Sequence, residues 1–87
     1  FYERGEAGSA ALSGEFAIDG RFPVNTNGGL LSYGSSGAAG GMFHVVEAVR
    51  QLRRECGERQ VKDAEVAFAH TLGGIFSGHC SIVLGRI

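Results

Sequence analysis

Apolar side chains recur every three or four residues from Gly37 to Cys56, between polar and arginine-rich positions. This spacing places them on one face of an amphipathic helix. Ser35 or Ser36 stands where a side chain can cap the first turn, and Gly57 stands where a helix commonly ends. The pattern therefore predicts one long helix over 37–56. Its apolar face comprises Ala38, Met42, Val45, Val46, Val49, Leu52 and Cys56.

Two short runs of β-forming residues follow this helix, Glu65–His70 and Cys80–Gly85. The glycine-bearing segment between them predicts a hairpin-like loop over 71–79. One helix and two or three strands form only part of an α/β layer, so one face of the sheet would stay open. We expect another chain or segment to cover that face, because large apolar patches are rarely left in water.

The N-terminal quarter of the chain has a weaker pattern. Residues 1–22 contain too few periodic apolar positions for a regular element. They predict irregular surface chain, with a short extended piece at Glu15–Ile18. Pro23 predicts an extended entry to the glycine turn of the segment NTNGG, and apolar residues then continue to Gly34. The chain thus divides into an irregular segment, 1–22, and an extended–helix–strand–strand core, 23–87.

Charge and composition narrow the possible partners. The 87 residues carry a formal net charge of -1 with acidic and basic residues mixed, which offers no electrostatic basis for binding nucleic acid or an anionic membrane. No apolar run approaches the roughly 20 residues that span a bilayer. Two cysteines, neither in a CxxC pair, favour a reducing, cytoplasmic setting. Because the chain begins with Phe1 rather than Met, we expect it to be cut from something longer.

Glycines 34, 37 and 40 lie at the start of the predicted helix with the spacing G-x-x-G-x-x-G. Neither the dinucleotide fingerprint nor the phosphate-binding loop of nucleotide hydrolases has this spacing, and the segment contains no lysine. The pattern therefore disfavours a nucleotide site. It leaves an amide-rich helix start that can hold a carbonyl, a carboxylate or a phosphate.

Histidine and cysteine side chains offer two further possibilities. His70, His79, Cys56 and Cys80 lack the paired spacing of zinc ligands, so no metal site is predicted. His70 stands at the end of a predicted strand, just before the Gly73–Gly74 turn, a common place for catalytic groups. It could act there as a general base, or simply bond a loop carbonyl.

Several motifs occur in one order: FPVNTNGGLLSYG, GAAGGMFHVVEAVRQLR, HTLGG and HCSIVLGR, preceded by GEAGSAALSGEFAIDG. Together they resemble the C-terminal part of thiolases, in particular acetyl-CoA acetyltransferases of the lipid-transfer or sterol-carrier type, over essentially the whole chain. The resemblance implies an α/β fold of two duplicated halves stacked in five layers. This chain would supply part of the C-terminal half and be incomplete alone. The implied chemistry is carbon–carbon bond formation or cleavage next to a CoA thioester, which is the substrate, with no covalently bound cofactor.

The resemblance also implies the roles of particular residues. Asn25 and Asn27 match the N-x-N-G-G turn that shapes the active-site wall. Gly34 matches the glycine of the family's GHP motif, so Ser35 replaces its catalytic histidine and Ser36 its proline. Serine can donate a hydrogen bond to a thioester oxygen but cannot act as an imidazole base near pH 7.

A second part of the implied site lies near the C-terminus. His70 falls at or beside the position of the second catalytic cysteine of classical thiolases, as a histidine does in many lipid-transfer members. Gly73 and Gly74 match a turn whose backbone helps to form an oxyanion hole. The family's nucleophilic cysteine belongs to the N-terminal half, and Cys80 lies inside a predicted strand, so Cys80 does not replace it.

Three hypotheses follow. The first is the C-terminal piece of a thiolase-like acyltransferase that works with the remaining thiolase segment or subunit, in a homo- or hetero-oligomer. The second is a thiolase-like aldolase or lyase acting on a CoA ester, with Tyr33 as an acid/base residue. The third is a non-catalytic structural subunit of a thiolase-like complex. The lipid-transfer type also implies a small partner protein with a zinc ribbon and an OB-fold.

Overall fold

Three helices and one two-stranded antiparallel sheet make up the structure, a computed structural model that describes residues 1–87. Single 3-10 turns precede and follow the longest helix, at Gly37–Ala39 and Gly57–Arg59. No helix is long and apolar enough to cross a membrane. The arrangement confirms the expected small, incomplete α/β unit. Its elements are α1 (Ala7–Leu12), α2 (Gly29–Tyr33), α3 (Gly40–Arg53), β1 (Val66–Gly73) and β2 (Gly78–Gly85).

Helix α3 confirms the predicted helix but starts later than expected. Gly37 has a φ of 76°, so the chain makes a separate 3-10 turn before α3 begins at Gly40. The cap position of α3 is Ala39, which offers no side-chain acceptor. The prediction that Ser35 or Ser36 caps this helix is therefore wrong, because the left-handed glycine separates both serines from its first turn.

Helix α3 also ends earlier than predicted. Arg54 adopts the left-handed conformation, with a φ of 63°, and stops the helix before Gly57 is reached. The amide N–H groups of Arg54 and Glu55 donate to the carbonyls of Gln51 and Arg50 and so satisfy the end of the helix. Gly57 instead starts the following 3-10 turn.

The two strands pair in one hairpin and are longer than predicted. β1 continues past His70, and β2 begins before Cys80. Cross-strand pairs such as Thr71 with Cys80 hold these extra residues in the ladder, so the turn contains only 74–77. His70 therefore lies within a strand, and its predicted place at a strand end is wrong. Pairing with β2 carries the strand through polar residues that propensity alone does not select.

The segment after the NTNGG turn is helical rather than extended. Gly28, with a φ of 88°, reverses the chain, and the single turn of α2 then starts at Gly29 and is closed by the Gly34 N–H, which donates to the Leu30 carbonyl at 3.0 Å. This turn brings Leu30 against the start of α3, where a Cβ at Gly40 would lie 3.4 Å from Leu30 Cδ1. Tertiary packing thus replaces the predicted extended conformation.

The N-terminal segment is more ordered than its pattern predicts. Residues 7–12, expected to be irregular, form α1, and Glu15–Ile18 forms turns instead of an extended piece. Aromatic packing organises the segment, and Phe1 also reaches Phe68 of β1 with 5.0 Å between ring centroids. The aromatic residues in contact do not recur at a regular spacing, so the hydrophobic pattern of the sequence could not predict their packing. The other rings of the cluster are those of Tyr2, Phe16 and Phe22.

A small core lies between α3 and the inner face of the sheet. Ala48 and Leu52 of α3 pack with Ala69 of β1, and Cys56 is buried just after the helix. Only 9 of the 87 residues are buried, and no large side chain is completely enclosed. The outer face of the sheet, which points away from α3, is 45–69% exposed at its apolar positions and agrees with the expected open face. Those positions are Val66, Phe68, Leu72 and Val83.

A buried carboxylate on α3 joins three parts of the chain. Glu47 is 8% exposed, and its two oxygens accept hydrogen bonds from the Arg59 guanidinium at 2.9–3.3 Å. Glu47 Oε1 also accepts from the Thr26 hydroxyl at 2.8 Å and from Gln51 Nε2 at 3.1 Å. The helix is thereby tied to the NTNGG turn before it and to the 3-10 turn after it.

Hydrogen bonding sets the protonation state of Glu47. Burial alone would raise the pKa of this carboxyl, but the hydrogen bonds from Arg59, Thr26 and Gln51 outweigh it and hold the pKa below its ordinary value. Burial, and then the negative charge of Glu47, raise the pKa of the Cys56 thiol, whose Sγ lies 3.8 Å from Glu47 Oε1. The network therefore contains one carboxylate and one neutral thiol at neutral pH.

Glu47→Gln is expected to weaken the packing of α3 by about 2 kcal/mol at pH 7, because Arg59 loses its charged partner. The folded pKa of Glu47 is lowered, so its stabilisation is complete above the unfolded pKa of about 4.3 and is lost as the pH falls through the folded pKa. The difference in local stability between Glu47→Gln and the unsubstituted protein should therefore shrink below about pH 4. Hydrogen exchange of the α3 amides in the complete protein measures this local stability.

Glu58→Gln is the matched control, because Glu58 is exposed and forms no ion pair. A loss at Glu58 as large as that at Glu47, or a Glu47→Gln difference that does not shrink in acid, would contradict this role of the carboxylate.

Candidate functional site

The NTNGG turn is built by its own asparagines. Asn25 is left-handed, with a φ of 52°, and its carbonyl accepts from the Gly28 N–H at 2.7 Å. Asn27 Oδ1 accepts from the Gly29 N–H at 3.0 Å. Gly29 has a φ of 71° and is buried, and a Cβ there would lie 3.5 Å from the Asn25 amide nitrogen. Both predicted substrate-binding asparagines thus shape a turn in which glycine is required.

Thr26 connects this turn to the core. Its hydroxyl donates to Glu47 Oε1 at 2.8 Å, across 21 residues of sequence. The side chains on either side of Thr26 are thereby held at a fixed distance from α3. Sequence spacing gave no signal for this contact, since a lone threonine between asparagines is ordinary turn chemistry.

The GSSGAAGG segment turns the chain into α3 and lets it approach β1. Gly34 has a φ of 107° and a ψ of 162°, a conformation that only glycine adopts readily. Ser35 Oγ accepts from the Gly37 N–H at 3.3 Å and is exposed. A Cβ at Gly40 would lie 3.1 Å from Ser35 Oγ, and a Cβ at Gly41 would lie 3.1 Å from the Thr71 side chain. Glycine at these two helix positions therefore allows a close approach of the helix to Ser35 and to the strand.

His70 points to the outer face of the sheet. Its Nδ1 lies 2.8 Å from Ser81 Oγ, and its Nε2 lies 3.2 Å from His79 Nδ1. The two imidazole rings are stacked, with centroids 5.4 Å apart and planes 24° from parallel. All three side chains are exposed in this chain. The contacts of His79 and Ser81 with His70 were not predicted from the sequence, although the alternation of side chains along a strand places all three on one face.

The predicted catalytic residues Ser35 and His70 do not contact each other. Ser35 belongs to the turn before α3, which covers the inner face of the sheet, whereas His70 projects from the outer face. The contact of Gly41 with Thr71 does bring the start of α3 to the same end of the sheet as the hairpin turn. Ser35 and His70 therefore lie towards the same end of the sheet, on opposite faces of β1.

Gly73 and Gly74, the glycines predicted to form an oxyanion hole, lie at the start of the hairpin turn and help to form it. The Gly73 carbonyl accepts from the N–H and the hydroxyl of Ser77, and Gly74 has a φ of 61°. Ser36 forms no side-chain cap of the 3-10 turn. Asn25, Asn27, Ser36, Gly73 and Gly74 therefore remain predicted site residues whose ligand contacts the chain itself does not test.

A separate groove of about 500 Å³ lies between the end of α3 and the end of β2, far along the sheet from the hairpin turn. Leu52, Arg53, Leu84 and Arg86 contribute to its wall, and none of the predicted site residues lines it. Arg86 Nη1 donates to the Leu52 carbonyl at 3.0 Å and closes the groove on one side. No group of three or more metal-ligating side chains lies together anywhere in the chain.

Comparison with known proteins supplies the family. A family model described as "Thiolase C-terminal domain-like" matches residues 1–86. The chain belongs to the thiolase C-terminal domain family. This confirms the resemblance and the fold class inferred from the sequence. Membership of this family is consistent with the small, incomplete sheet of this chain.

Curated relatives extend this result. The chain is 46% identical over 74 residues to an acetyl-CoA acetyltransferase of Methanothermobacter thermautotrophicus, 85% of this chain and 19% of that protein. It is 39% identical over 69 residues to sterol carrier protein 2 of Rattus norvegicus, 79% of this chain and 13% of that protein. It is 33% identical over 72 residues to the benzoylsuccinyl-CoA thiolase subunit BbsB of Thauera aromatica, 82% of this chain and 19% of that protein. The chain therefore spans less than a fifth of the length of these relatives.

Gly34→Ala is expected to destabilise the turn before α3 by about 1–3 kcal/mol, because an alanine is strained at a φ of 107° although a Cβ there meets open space. Gly8→Ala is the matched control, since Gly8 lies in α1 and its Cβ also meets nothing within 4 Å. Alanine there is expected to be neutral or stabilising. Hydrogen exchange of the two segments in the complete protein distinguishes them, and equal effects would contradict the strained turn.

Thr26→Val is expected to loosen the NTNGG turn by about 1 kcal/mol, because it removes one hydrogen bond to the Glu47 carboxylate while keeping the side chain's shape. Thr26→Ser retains the hydroxyl and should protect the turn amides nearly as well as threonine. Hydrogen exchange of residues 25–29 reports both variants. If Thr26→Ser loses as much protection as Thr26→Val, the hydroxyl is not the link between turn and helix.

Proposed function

We propose that this chain is the C-terminal piece of a thiolase-type acyltransferase that forms or cleaves a carbon–carbon bond next to a CoA thioester. The observation that carries the proposal is the family match over residues 1–86 combined with the glycine turns that hold Ser35. The acyltransferase and thiolase names of the relatives support a CoA thioester as substrate. No covalently bound cofactor is part of the proposal.

Ser35 is proposed to donate a hydrogen bond to a thioester oxygen. Its Oγ accepts from the Gly37 N–H, so the hydroxyl proton stays available for an oxygen of the substrate. Gly34 and the asparagines of the NTNGG turn would form the surrounding wall, as the resemblance to thiolases implies. Serine lacks the basic nitrogen of the family's histidine, so this position supplies polarisation without proton abstraction.

His70 and the hairpin turn form the second half of the proposed site. His70 carries an imidazole on the outer face of β1, and the amides of Gly73 and Gly74 follow at the tip of the same strand. Imidazole is the side chain best suited to proton transfer near neutral pH. Because Ser35 lies on the inner side of β1 and His70 on its outer side, a CoA ester would have to reach the two groups around the hairpin end of the sheet.

The chain is proposed to act with the remaining thiolase segment or subunit, in a homo- or hetero-oligomer. Support comes from the exposed outer face, where apolar side chains of both strands are left in water, and from a core of only 9 buried residues. The proposed nucleophilic cysteine belongs to that other part, because Cys80 lies inside β2, paired with Thr71 of β1, and Cys56 is a buried thiol with a raised pKa. A zinc-ribbon and OB-fold partner remains a further proposal.

A thiolase-like lyase acting on a CoA ester is a second candidate, favoured by one observation. Tyr33 ends α2 directly before Gly34, is 50% exposed, and packs edge-on against Phe43 with 5.3 Å between centroids. This packing orients the ring of Tyr33, two residues before Ser35 in the chain. A third possibility, a non-catalytic structural subunit, would leave Ser35, Tyr33 and His70 without effect on any reaction.

Ser35→His in the complete protein separates these functions. In an acyltransferase weakened at this position, the added imidazole is expected to raise acetoacetyl-CoA thiolysis by about tenfold or more. Ser35→Ala removes the hydroxyl and should lower the rate of the unsubstituted protein, since loss of an oxyanion donor costs about 10²–10³. Thiolysis is measured from the loss of acetoacetyl-CoA absorbance with free CoA present.

Tyr33→Phe is the companion variant. A large loss of carbon–carbon cleavage without added CoA, together with no gain for Ser35→His, would favour the lyase and contradict the acyltransferase. Unchanged activity in all three variants would favour the structural role, provided that the proteins fold, which hydrogen exchange of α3 establishes.

A further inference from the structure

The NTNGG turn contains the dipeptide Asn27–Gly28, and asparagine followed by glycine is the pair most prone to spontaneous deamidation. Glycine has no side chain to hinder the attack of its backbone nitrogen on the preceding side-chain amide. The other asparagine of the chain, Asn25, is followed by Thr26, whose branched side chain hinders the same attack. The sequence thus makes Asn27, and not Asn25, the residue susceptible to deamidation.

The backbone of the turn requires the glycine of this dipeptide. Gly28 has a φ of 88°, in the left-handed region, and a Cβ there would lie 2.5 Å from the Ser32 Cβ. Backbone strain and a steric clash therefore both oppose another residue at position 28. Since the susceptible dipeptide is built into the turn, any protection of Asn27 has to come from the folded geometry.

Deamidation of such a dipeptide proceeds through a cyclic imide. The backbone nitrogen of Gly28 loses its proton and attacks Cγ of Asn27, the bond from Cγ to the side-chain nitrogen breaks, and ammonia leaves with that proton. Water then opens the imide at either carbonyl, which gives aspartate or isoaspartate. Water is the co-reactant, and neither an oxidant nor a reductant takes part.

Two hydrogen bonds of the folded turn oppose the attack. The Gly28 N–H donates to the Asn25 carbonyl at 2.7 Å, so the proton that must leave is engaged. Asn27 Oδ1 accepts from the Gly29 N–H at 3.0 Å, which fixes the side-chain amide. Imide formation has to break the first bond and release the second. The turn therefore has to open locally before Asn27 can react.

The hydrogen bond from Thr26 to α3 limits this opening. Its hydroxyl donates to Glu47 Oε1 at 2.8 Å, and Thr26 stands directly before the susceptible asparagine. Glu47 is itself buried, so the turn is tied to a fixed point of the core. We infer that Asn27 is a latent deamidation site that the Thr26–Glu47 hydrogen bond protects. The free energy of opening the turn then sets the rate of deamidation, in addition to the chemistry of the dipeptide.

The two products differ in what they do to the turn. Aspartate keeps an oxygen that can accept from the Gly29 N–H, whereas isoaspartate adds a methylene to the backbone between Asn27 and Gly28. Both place a new negative charge in the predicted wall of the site. The consequence for catalysis rests on the proposed function: this charge opposes the negative charge that develops on a thioester oxygen during the reaction.

The protection is tested by incubating the complete protein at neutral pH and following deamidation by peptide mass spectrometry. A synthetic peptide of residues 22–31 gives the rate in the absence of the folded turn. The folded protein is expected to deamidate at Asn27 about tenfold or more slowly than the peptide. Asn25, in the same fragment, serves as the internal reference and should stay intact. Equal rates at Asn27 in protein and peptide would overturn the inference.

Thr26→Val tests the hydrogen bond itself. Its loss lets the turn open more often, so deamidation of the complete protein should become about fivefold faster. A peptide with the same substitution corrects for any direct effect of valine on the chemistry. Thr26→Ser is the matched control, because it keeps the hydroxyl and should keep the slow rate. An unchanged rate in Thr26→Val, or an equal rise in Thr26→Ser, would overturn the inference.

Asn27→Asp supplies the charge of the deamidated protein at once. Thiolysis of acetoacetyl-CoA by the complete protein should fall by about tenfold or more, because the charge opposes the developing oxyanion. Unchanged thiolysis would contradict this effect of deamidation on the site. If the unsubstituted protein shows no thiolysis, the proposed function fails, whereas the deamidation rates still decide whether the turn protects Asn27.

Discussion

The ion pair between Glu47 and Arg59 is the interaction on which the rest of this small structure depends. A domain with so few buried residues has little hydrophobic energy with which to fix its turns. The Glu47 carboxylate stands in the middle of α3 and accepts hydrogen bonds from both sides, from Thr26 and from Arg59. A carboxylate taken out of water needs such partners, and here the partners are the segments that must be positioned.

Gln51, one turn further along α3, also bonds to the segment that follows the helix. Its side chain donates to the Arg59 carbonyl at 2.8 Å and accepts from the Val61 N–H at 2.9 Å. Every buried side-chain nitrogen and oxygen in the chain has a partner. A fully satisfied polar network gives a unique arrangement, because each alternative leaves a buried group unpaired. The route from α3 to β1 is therefore defined by hydrogen bonds more than by apolar packing.

Two glycines determine how the N-terminal end of α3 packs, and the candidate site lies at this end of the helix. Gly40 and Gly41 let the helix approach Ser35 and Thr71 at distances that a Cβ would obstruct. The residue before Thr71 is His70, so the strand that packs against the helix on one face carries the histidine pair on its other face.

The sequence by itself determined the helix, the two strands and the family, and it named candidate site residues whose roles stay predictions. Periodicity finds α3 because half of the helix is buried and half is not, and the motifs around Asn25, Gly34 and His70 are local in the chain. Only the tertiary structure decided that the serines do not cap α3, that His70 lies inside a strand, and that His79 and Ser81 join it. Those outcomes depend on a left-handed glycine and on the register of two strands, and the local spacing of residue types predicts neither of them. The link from Thr26 to Glu47 and Arg59 has the same origin, since a hydrogen bond across 21 residues exists only once the chain has folded.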